Sequence, residues 1–177
     1  MYYSIKELSD ISGINKITLR SWEDRYGFLI ARRTATNIRK YTTDQLLCAI
    51  NTSALISCGY KISFISKKKY TEIASLVDSK FYSKGVINDS LYIARIISSA
   101  VLKNRDVFDT TIYKGFVELG LLEFYEKVMY VSLQKLGLIW TVNSNESFHE
   151  SFVFGLLQEK INDITAEIMG KKFSKDI

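Results

Sequence analysis

The stretch "YSIKELSDISGINKITLRSWEDRYG", Tyr3–Gly27, decides the fold. Ser4 and Glu7 have capping-box spacing: the hydroxyl can accept from the Glu7 N–H while the carboxylate reaches back to Ser4. Ile5, Leu8 and Ile11 then recur on one side of a helix, which Gly13 ends. Asn15 is a good N-cap for a second helix and Gly27 a good stop. Leu19, Trp22 and Tyr26 would face inward on it. Lys16, Arg20 and Glu23 or Asp24 would face outward. Two short helices joined by a glycine turn, the second opening with cations, predict a helix-turn-helix. Side chains near the start of such a second helix reach base edges in the major groove, and its N-terminus attracts phosphate. The spacing alone also fits any helical hairpin with a polar outer face.

The next segment strengthens the first reading. "FLIARRTATNIRKY", Phe28–Tyr41, has no helical period and sets Arg32, Arg33, Arg39 and Lys40 among small and β-branched residues. This predicts a two-stranded wing whose cations lie beside the groove, against phosphates. "TTDQLLCAINTSALISCGY" predicts a third helix with Thr43 as N-cap, a core face of Leu46, Leu47, Ile50 and Leu55, and Gly59 as stop. "KISFISKKKYTEIASLV" supplies a short fourth helix and the exit from this unit, with Lys67–Lys69 as a solvated charge run.

Composition bounds the alternatives. Hydrophobic residues make up 47% and charged residues 24% of the 177, as in an ordinary globular protein. No apolar run approaches the ~18 residues of a membrane span, and "MYYSIKELSD" has no apolar core of a signal peptide. Proline is absent, which favours an all-helical chain. Cys48 and Cys58 stand ten positions apart in one helical stretch, too far for a disulfide. They read as reduced, buried thiols of a cytoplasmic protein. The net charge is +5, and residues 1–70 hold twelve Lys or Arg against five Asp or Glu. That asymmetry is the footprint of a nucleic-acid module.

After about residue 76 charge evens out and four helical patterns follow. They are "NDSLYIARIISSAVLKN", "DVFDTTIYKGFVELG", "LLEFYEKVMYVSLQKLGLIW" and "NESFHESFVFGLLQEKINDITAEIMG". The first is capped by Asn88 or Asp89. The third would turn Leu122, Tyr125, Val128 or Met129, and Leu133 inward. The fourth runs from a cap near Asn145 to Gly170. Short links between them predict a four-helix bundle. The expected fold is therefore mainly all-α, with a winged helix-turn-helix over residues 1–75 and a helical bundle over 76–177. His149, the single histidine, has no nucleophile, second acid in register or metal cluster near it. An enzyme is not expected.

From residue 2 to about 70 the chain resembles the MerR family of transcriptional regulators. The matching residues are "YSIKELSDISGINKITLRSWEDRYGFLIARRT", "RKY" and "GYKISFI", in the order helix-turn-helix, wing, helix pair. "TLRSWEDRYGFL" with "RTATNIRKY" is most similar to the branch that carries a C-terminal cobalamin-binding sensor. By position, the resemblance implies DNA contacts from Lys16, Thr18 and Arg20 on the recognition helix. It also implies backbone contacts from Arg39 and Tyr41 on the wing, with Arg33 and Lys40 as further wing candidates. Trp22 has a phosphate-contact counterpart in the family, but its helical phase places it in the core. The implied partners are a double-stranded DNA operator, further copies of the chain in a homo-oligomer, and RNA polymerase. The implied role is a cytoplasmic repressor. The alternatives are an adaptor that keeps the winged fold for protein contacts, and the front half of a cobalamin-dependent photoreceptor regulator.

"LGLIWTVNSNESFHES" resembles the bundle that caps cobalamin in the same branch, where a Trp is followed after nine residues by a Glu-His pair. Trp140 and Glu150 keep that spacing, and Ser151 stands where the family has its His. Trp140 and Glu150 are thus the ligand-cap candidates. The family binds cobalamin mainly through an Asp-x-His-x-x-Gly loop on a further Rossmann-like domain, and these 177 residues contain no such loop. No cofactor is expected in this chain, and cobalamin only with a further C-terminal domain.

Overall fold

Ser4 opens the first helix as its spacing predicts. The computed structural model describes residues 1–142 together with Phe154, Gly155, Gln158 and Glu159. In it the Glu7 N–H donates to Ser4 Oγ at 3.3 Å and the Ser4 N–H donates to Glu7 Oε2 at 2.7 Å. A cap of this kind contributes about 1 kcal/mol. Helix α1 (Ile5–Ser12) ends at Gly13, whose φ of 77° suits glycine. Helix α2 (Lys16–Tyr26) starts at Asn15, whose Oδ1 accepts from the Ile17 N–H at 2.9 Å. Leu8, Ile11, Leu19 and Trp22 are buried, and Ile5 and Tyr26 pack half-buried against the same core.

The wing is present, with one strand more than expected. Strands β2 (Arg32–Arg33) and β3 (Arg39–Thr42) pair antiparallel, Arg32 opposite Lys40 and Arg33 opposite Arg39. Strand β1 (Tyr2–Tyr3) adds to the other edge of β3, with Tyr3 opposite Tyr41, giving the order β1–β3–β2. Two residues are too few to show an alternating pattern, so β1 was not legible. Both Tyr3 and Tyr41 are buried.

Helix α3 (Thr43–Ser57) is capped by Thr42 and not by Thr43. The reason is reciprocity: Thr42 Oγ1 accepts from the Gln45 N–H, and Gln45 Oε1 accepts from the Thr42 N–H at 2.9 Å. Thr43 would need Leu46 in the role of Gln45. Gln45 also donates to the Ile30 carbonyl at 2.7 Å, tying the helix start to the wing. The helix is buried continuously from Gln45 to Thr52, with Leu46, Leu47, Ile50 and Leu55 in the core as expected. A helix apolar on most sides needs partners on most sides. Here α1, the sheet, a short α4 (Ile62–Ile65), α5 (Tyr70–Phe81) and α6 (Asp89–Val101) supply them. The position expected for a domain boundary, 75–76, lies inside α5. One core cluster runs from Tyr3 through α5 to Ile139.

The two thiols differ in environment. Cys48 is buried as expected, and burial pushes its thiol up to about 12. Cys58, expected to be buried too, is only half-buried near the end of α3, though burial still raises its thiol. Since thiolate is the reactive form, native protein at pH 8 should take up one equivalent of a thiol reagent, at Cys58. Cys48 should follow only in denaturant. Two fast equivalents from native protein would contradict the burial of α3.

In the second half, α6 is capped by Asn88 and followed by α7 (Arg105–Leu119). The predicted third helix is broken into α8 (Leu121–Phe124), a π turn (Tyr125–Met129) and α9 (Tyr130–Val142). This corrects its expected inward stripe. Leu122 and Tyr125 are 70% and 55% exposed, Val128 and Met129 are buried, and Leu133 is half-buried. The inward positions are Phe124, Val128, Ser132, Leu136 and Ile139. The expected stripe is out of phase from its first position, since in α8 it is Phe124 and not Leu122 that turns inward, ahead of the π turn. The predicted fourth helix, Asn145–Gly170, falls largely outside the described residues, with His149 and Glu150. From its span, Glu159 is seen paired with Arg105 at 2.6 Å.

Helix α9 returns to the N-terminal unit. Lys135 Nζ donates to the Ile11 carbonyl, in the last turn of α1. Burial lowers the pKa of this ammonium from its ordinary value. A cation suits the negative end of a helix, here the end that leads into the helix-turn-helix turn. No helix among the described residues is long and apolar enough to cross a membrane.

Candidate nucleic-acid interface

The N-cap at Asn15 fixes where α2 begins and so which residues lie in its first turns. Lys16 and Arg20 are exposed and Thr18 is half-buried, while Leu19 and Trp22 anchor the opposite side. Trp22 packs against Phe28, ring centroids 6.1 Å apart, which gives it the core role its phase implied. Ile17 is 73% exposed on the same first turn. A bare isoleucine beside two cations suits the methyl group of thymine. Sequence reading passed over it because an apolar residue at this position looks like core.

The wing is rigid where it meets the body and cationic where it leaves it. Its tip closes with Thr34 N–H donating to the Ile38 carbonyl at 3.0 Å and Asn37 in the left-handed region at φ 62°. Arg33 Nη1 donates to Asn37 Oδ1 at 2.8 Å, holding that arginine against the tip. Arg32 Nη1 donates to the Tyr2 hydroxyl at 2.8 Å and lies over its ring. Tyr2 is thus a wing residue, missed because β1 was not foreseen. Tyr2, Arg32, Arg33, Thr34 and Lys40 line an open hollow of about 430 Å³.

Like charges face each other across this ribbon, since Arg32 opposes Lys40. Such pairs are destabilising. Among the described residues none of Arg32, Arg33 and Lys40 forms an ion pair with a carboxylate. A polyanion would relieve the repulsion. Lys40 is half-buried and Arg33 exposed.

Two expected backbone contacts take other roles. Arg39 Nε donates to Glu23 Oε2 at 2.8 Å, so this cation is turned toward α2. The hydrogen bond that Arg39 donates to Glu23 raises the Arg39 pKa. Glu23 Oε1 also accepts from the Ala31 N–H at 3.3 Å. Tyr41 is 1% exposed, its hydroxyl buried with no hydrogen-bond partner among the described residues. On β3 it lies on the same face as Arg39, two residues along. Burial raises its pKa, Glu23 adds to this, and Arg39, Arg20 and Arg33 oppose it. The exposed cations of α2, Lys16 and Arg20, and those of the wing, Arg32 and Arg33, belong to elements that Glu23 ties together through Arg39.

The ligand-cap candidates stand apart. Trp140 is half-buried near the end of α9, its ring 6.2 Å from that of Phe154. Glu150 lies outside the described residues, so the pair is not seen together. Among the described residues no three His, Cys, Asp or Glu side chains are grouped to hold a metal ion.

Residues 3–69 match the family described as MerR HTH family regulatory protein. No curated protein matches the chain. The matched segment spans α1, α2, the wing, α3 and α4. It carries a MerR-type helix-turn-helix and supports a DNA-binding transcriptional regulator.

Proposed function

We propose that this protein binds a double-stranded operator sequence-specifically, with α2 in the major groove and the wing on the flanking backbone. The observation that carries this reading is that Lys16 and Arg20 stand exposed on the first turns of α2, beside a wing whose Arg32, Arg33 and Lys40 have no carboxylate partner among the described residues. Lys16, Ile17, Thr18 and Arg20 read bases or seat the helix. Arg32, Arg33 and Lys40 hold phosphates. Arg39 and Tyr41 set the angle between wing and helix. One helix in one half-site gives little affinity, so the protein acts as a homo-oligomer on repeated half-sites. The repressor sense and a contact with RNA polymerase rest on the family resemblance. So does the cobalamin branch, for which Trp140 and Glu150 remain the residues to test.

The test is fluorescence anisotropy on DNA from the protein's own promoter region, over a range of salt. Arg20→Ala should weaken specific binding by about 1–3 kcal/mol, ten- to a hundredfold. Lys68→Ala should change it little, because that ammonium lies 3.8 Å from Glu72, away from α2 and the wing. Arg33→Ala should lower the salt slope by about one. Equal losses for Arg20→Ala and Lys68→Ala would remove α2 from the recognition role. No binding at low salt would favour a protein-binding adaptor.

A further inference from the structure

A second site lies where α3, α5, α6 and α7 meet, on residues that play no part in the DNA face. Asn51, Val77, Asp78, Arg95, Ser98 and Asn104 are among the residues around a cavity of about 160 Å³. Cavities of this size admit a benzene-sized molecule. Arg95 is only 4% exposed, so its guanidinium has been taken out of water almost completely. Burial lowers its pKa to about 10, which leaves it cationic at neutral pH.

A guanidinium carries five N–H donors, and the protein engages three directions. Nε donates to Thr111 Oγ1 at 3.2 Å, Nη2 to the Tyr82 hydroxyl at 3.2 Å, and Nη1 to Asp78 Oδ1. The ring of Phe81 lies 4.3 Å from the guanidinium carbon and covers one of its faces. The counter-ion is the unusual partner. The Asp78 side chain is 58% exposed while Arg95 is buried. A carboxylate so open can return to water at little cost, whereas the arginine cannot. Beside them the Ser98 hydroxyl is buried, with no hydrogen-bond partner among the described residues. An orphaned buried hydroxyl costs roughly 1–3 kcal/mol. Ala74, Val77, Leu102 and Val107 give the same cavity an apolar wall.

We propose that this cavity binds a small monocarboxylic acid, which displaces Asp78 from Arg95, hydrogen-bonds Ser98 and rests its carbon chain on Val77 and Val107. A planar carboxylate matches the guanidinium fork, which a single ammonium would not do. The apolar wall favours a short organic acid over inorganic phosphate. Asp78 is the built-in competitor: it neutralises Arg95 in the free protein and yields to the ligand. Because Asp78 sits on α5, which packs against α3, occupancy is registered at the centre of the fold.

The experiment titrates the full-length chain with propionate, and with propionamide as the neutral match, following amide chemical shifts and the melting temperature. Saturable shifts around α5 and α6 with propionate, and none with propionamide, are expected. Ser98→Ala should weaken propionate about fivefold, without the folding risk of altering Arg95. Asp78→Asn removes the competitor and should tighten propionate about tenfold, so that propionate raises its melting temperature more than that of the wild type. A merely structural Arg95–Asp78 pair does not produce that gain. Equal responses to propionate and propionamide, no saturation through the millimolar range, or unchanged affinity in Asp78→Asn would each overturn the proposal. None of these readouts involves DNA.

Discussion

A chain carrying Phe124→Ala should lose about 3–5 kcal/mol of stability and melt roughly 10 °C below the wild type. Phe124 is fully buried. Its ring meets Tyr92 edge-on at 6.0 Å and Phe116 at 4.9 Å. It also presses on bare backbone: a Cβ on Gly115 would fall 2.1 Å from the ring. Glycine within a helix costs about 1 kcal/mol relative to alanine, so the ring must return more than that. Gly115→Ala should therefore be destabilising by about 1–3 kcal/mol, despite the better helix propensity of alanine. The double variant Gly115→Leu with Phe124→Ala should recover at least about 1 kcal/mol relative to Phe124→Ala alone, because the new side chain fills the vacated space. Urea unfolding of the wild type and these variants, with Gly115→Leu added as the matching single variant, measures the cycle. A cost below about 1 kcal/mol for Phe124→Ala would mean that this ring is not the plug between α7 and α8.

Glu23→Ala should reduce discrimination between operator and scrambled DNA by about tenfold, with a stability loss of about 1–3 kcal/mol. The carboxylate joins α2 to β3 through Arg39 at 2.8 Å and to the residue just before β2 through the Ala31 N–H at 3.3 Å. The two side chains are 22% and 11% exposed, so the pair is better shielded than a surface salt bridge. Removing it has two consequences of opposite sign. The wing loses its fixed angle, which weakens specific binding. Arg39 is released toward phosphate, which supports binding to any sequence and steepens its salt dependence. Anisotropy on both DNAs separates these effects. A parallel drop on both would show that Glu23 stabilises the fold without orienting the wing. Glu23→Gln keeps an acceptor for Ala31 and should fall between.

The helix-turn-helix could be read because its determinants are local. Ser4, Glu7, Gly13, Asn15 and Gly27 each act within four residues of their own position, and all took the predicted roles. The exposed Lys16 and Arg20 followed from the phase of Leu19 and Trp22. What escaped depended on distant partners. Strand β1 exists only because β3 accepts it. The roles of Arg39 and Tyr41 depend on Glu23 and on which side of β3 faces the core, and a cationic sequence carries no sign of that. Thr42 replaced Thr43 as cap through a side chain three residues on, a signal present in the sequence but overlooked. The π turn offered no local cue: Tyr125–Met129 is ordinary helix-forming sequence, and the burial of Phe124, Val128 and Ser132 at four-residue intervals fits regular helix as well. Arg95 shows the same limit, since a lone arginine among apolar residues cannot announce Thr111, Tyr82 and Asp78.

That π turn has a mechanical consequence. It stores a surplus residue in the middle of a long rod whose far part is bolted to the DNA-binding unit by Lys135 on the Ile11 carbonyl. Rewinding the surplus into regular α-helix would screw α9 through about 100° and slide it by about 1.5 Å. Lys135 would then swing off the end of α1, and the seat of the recognition helix would lose its bolt. The rod is threaded, and a quarter turn is enough to undo it.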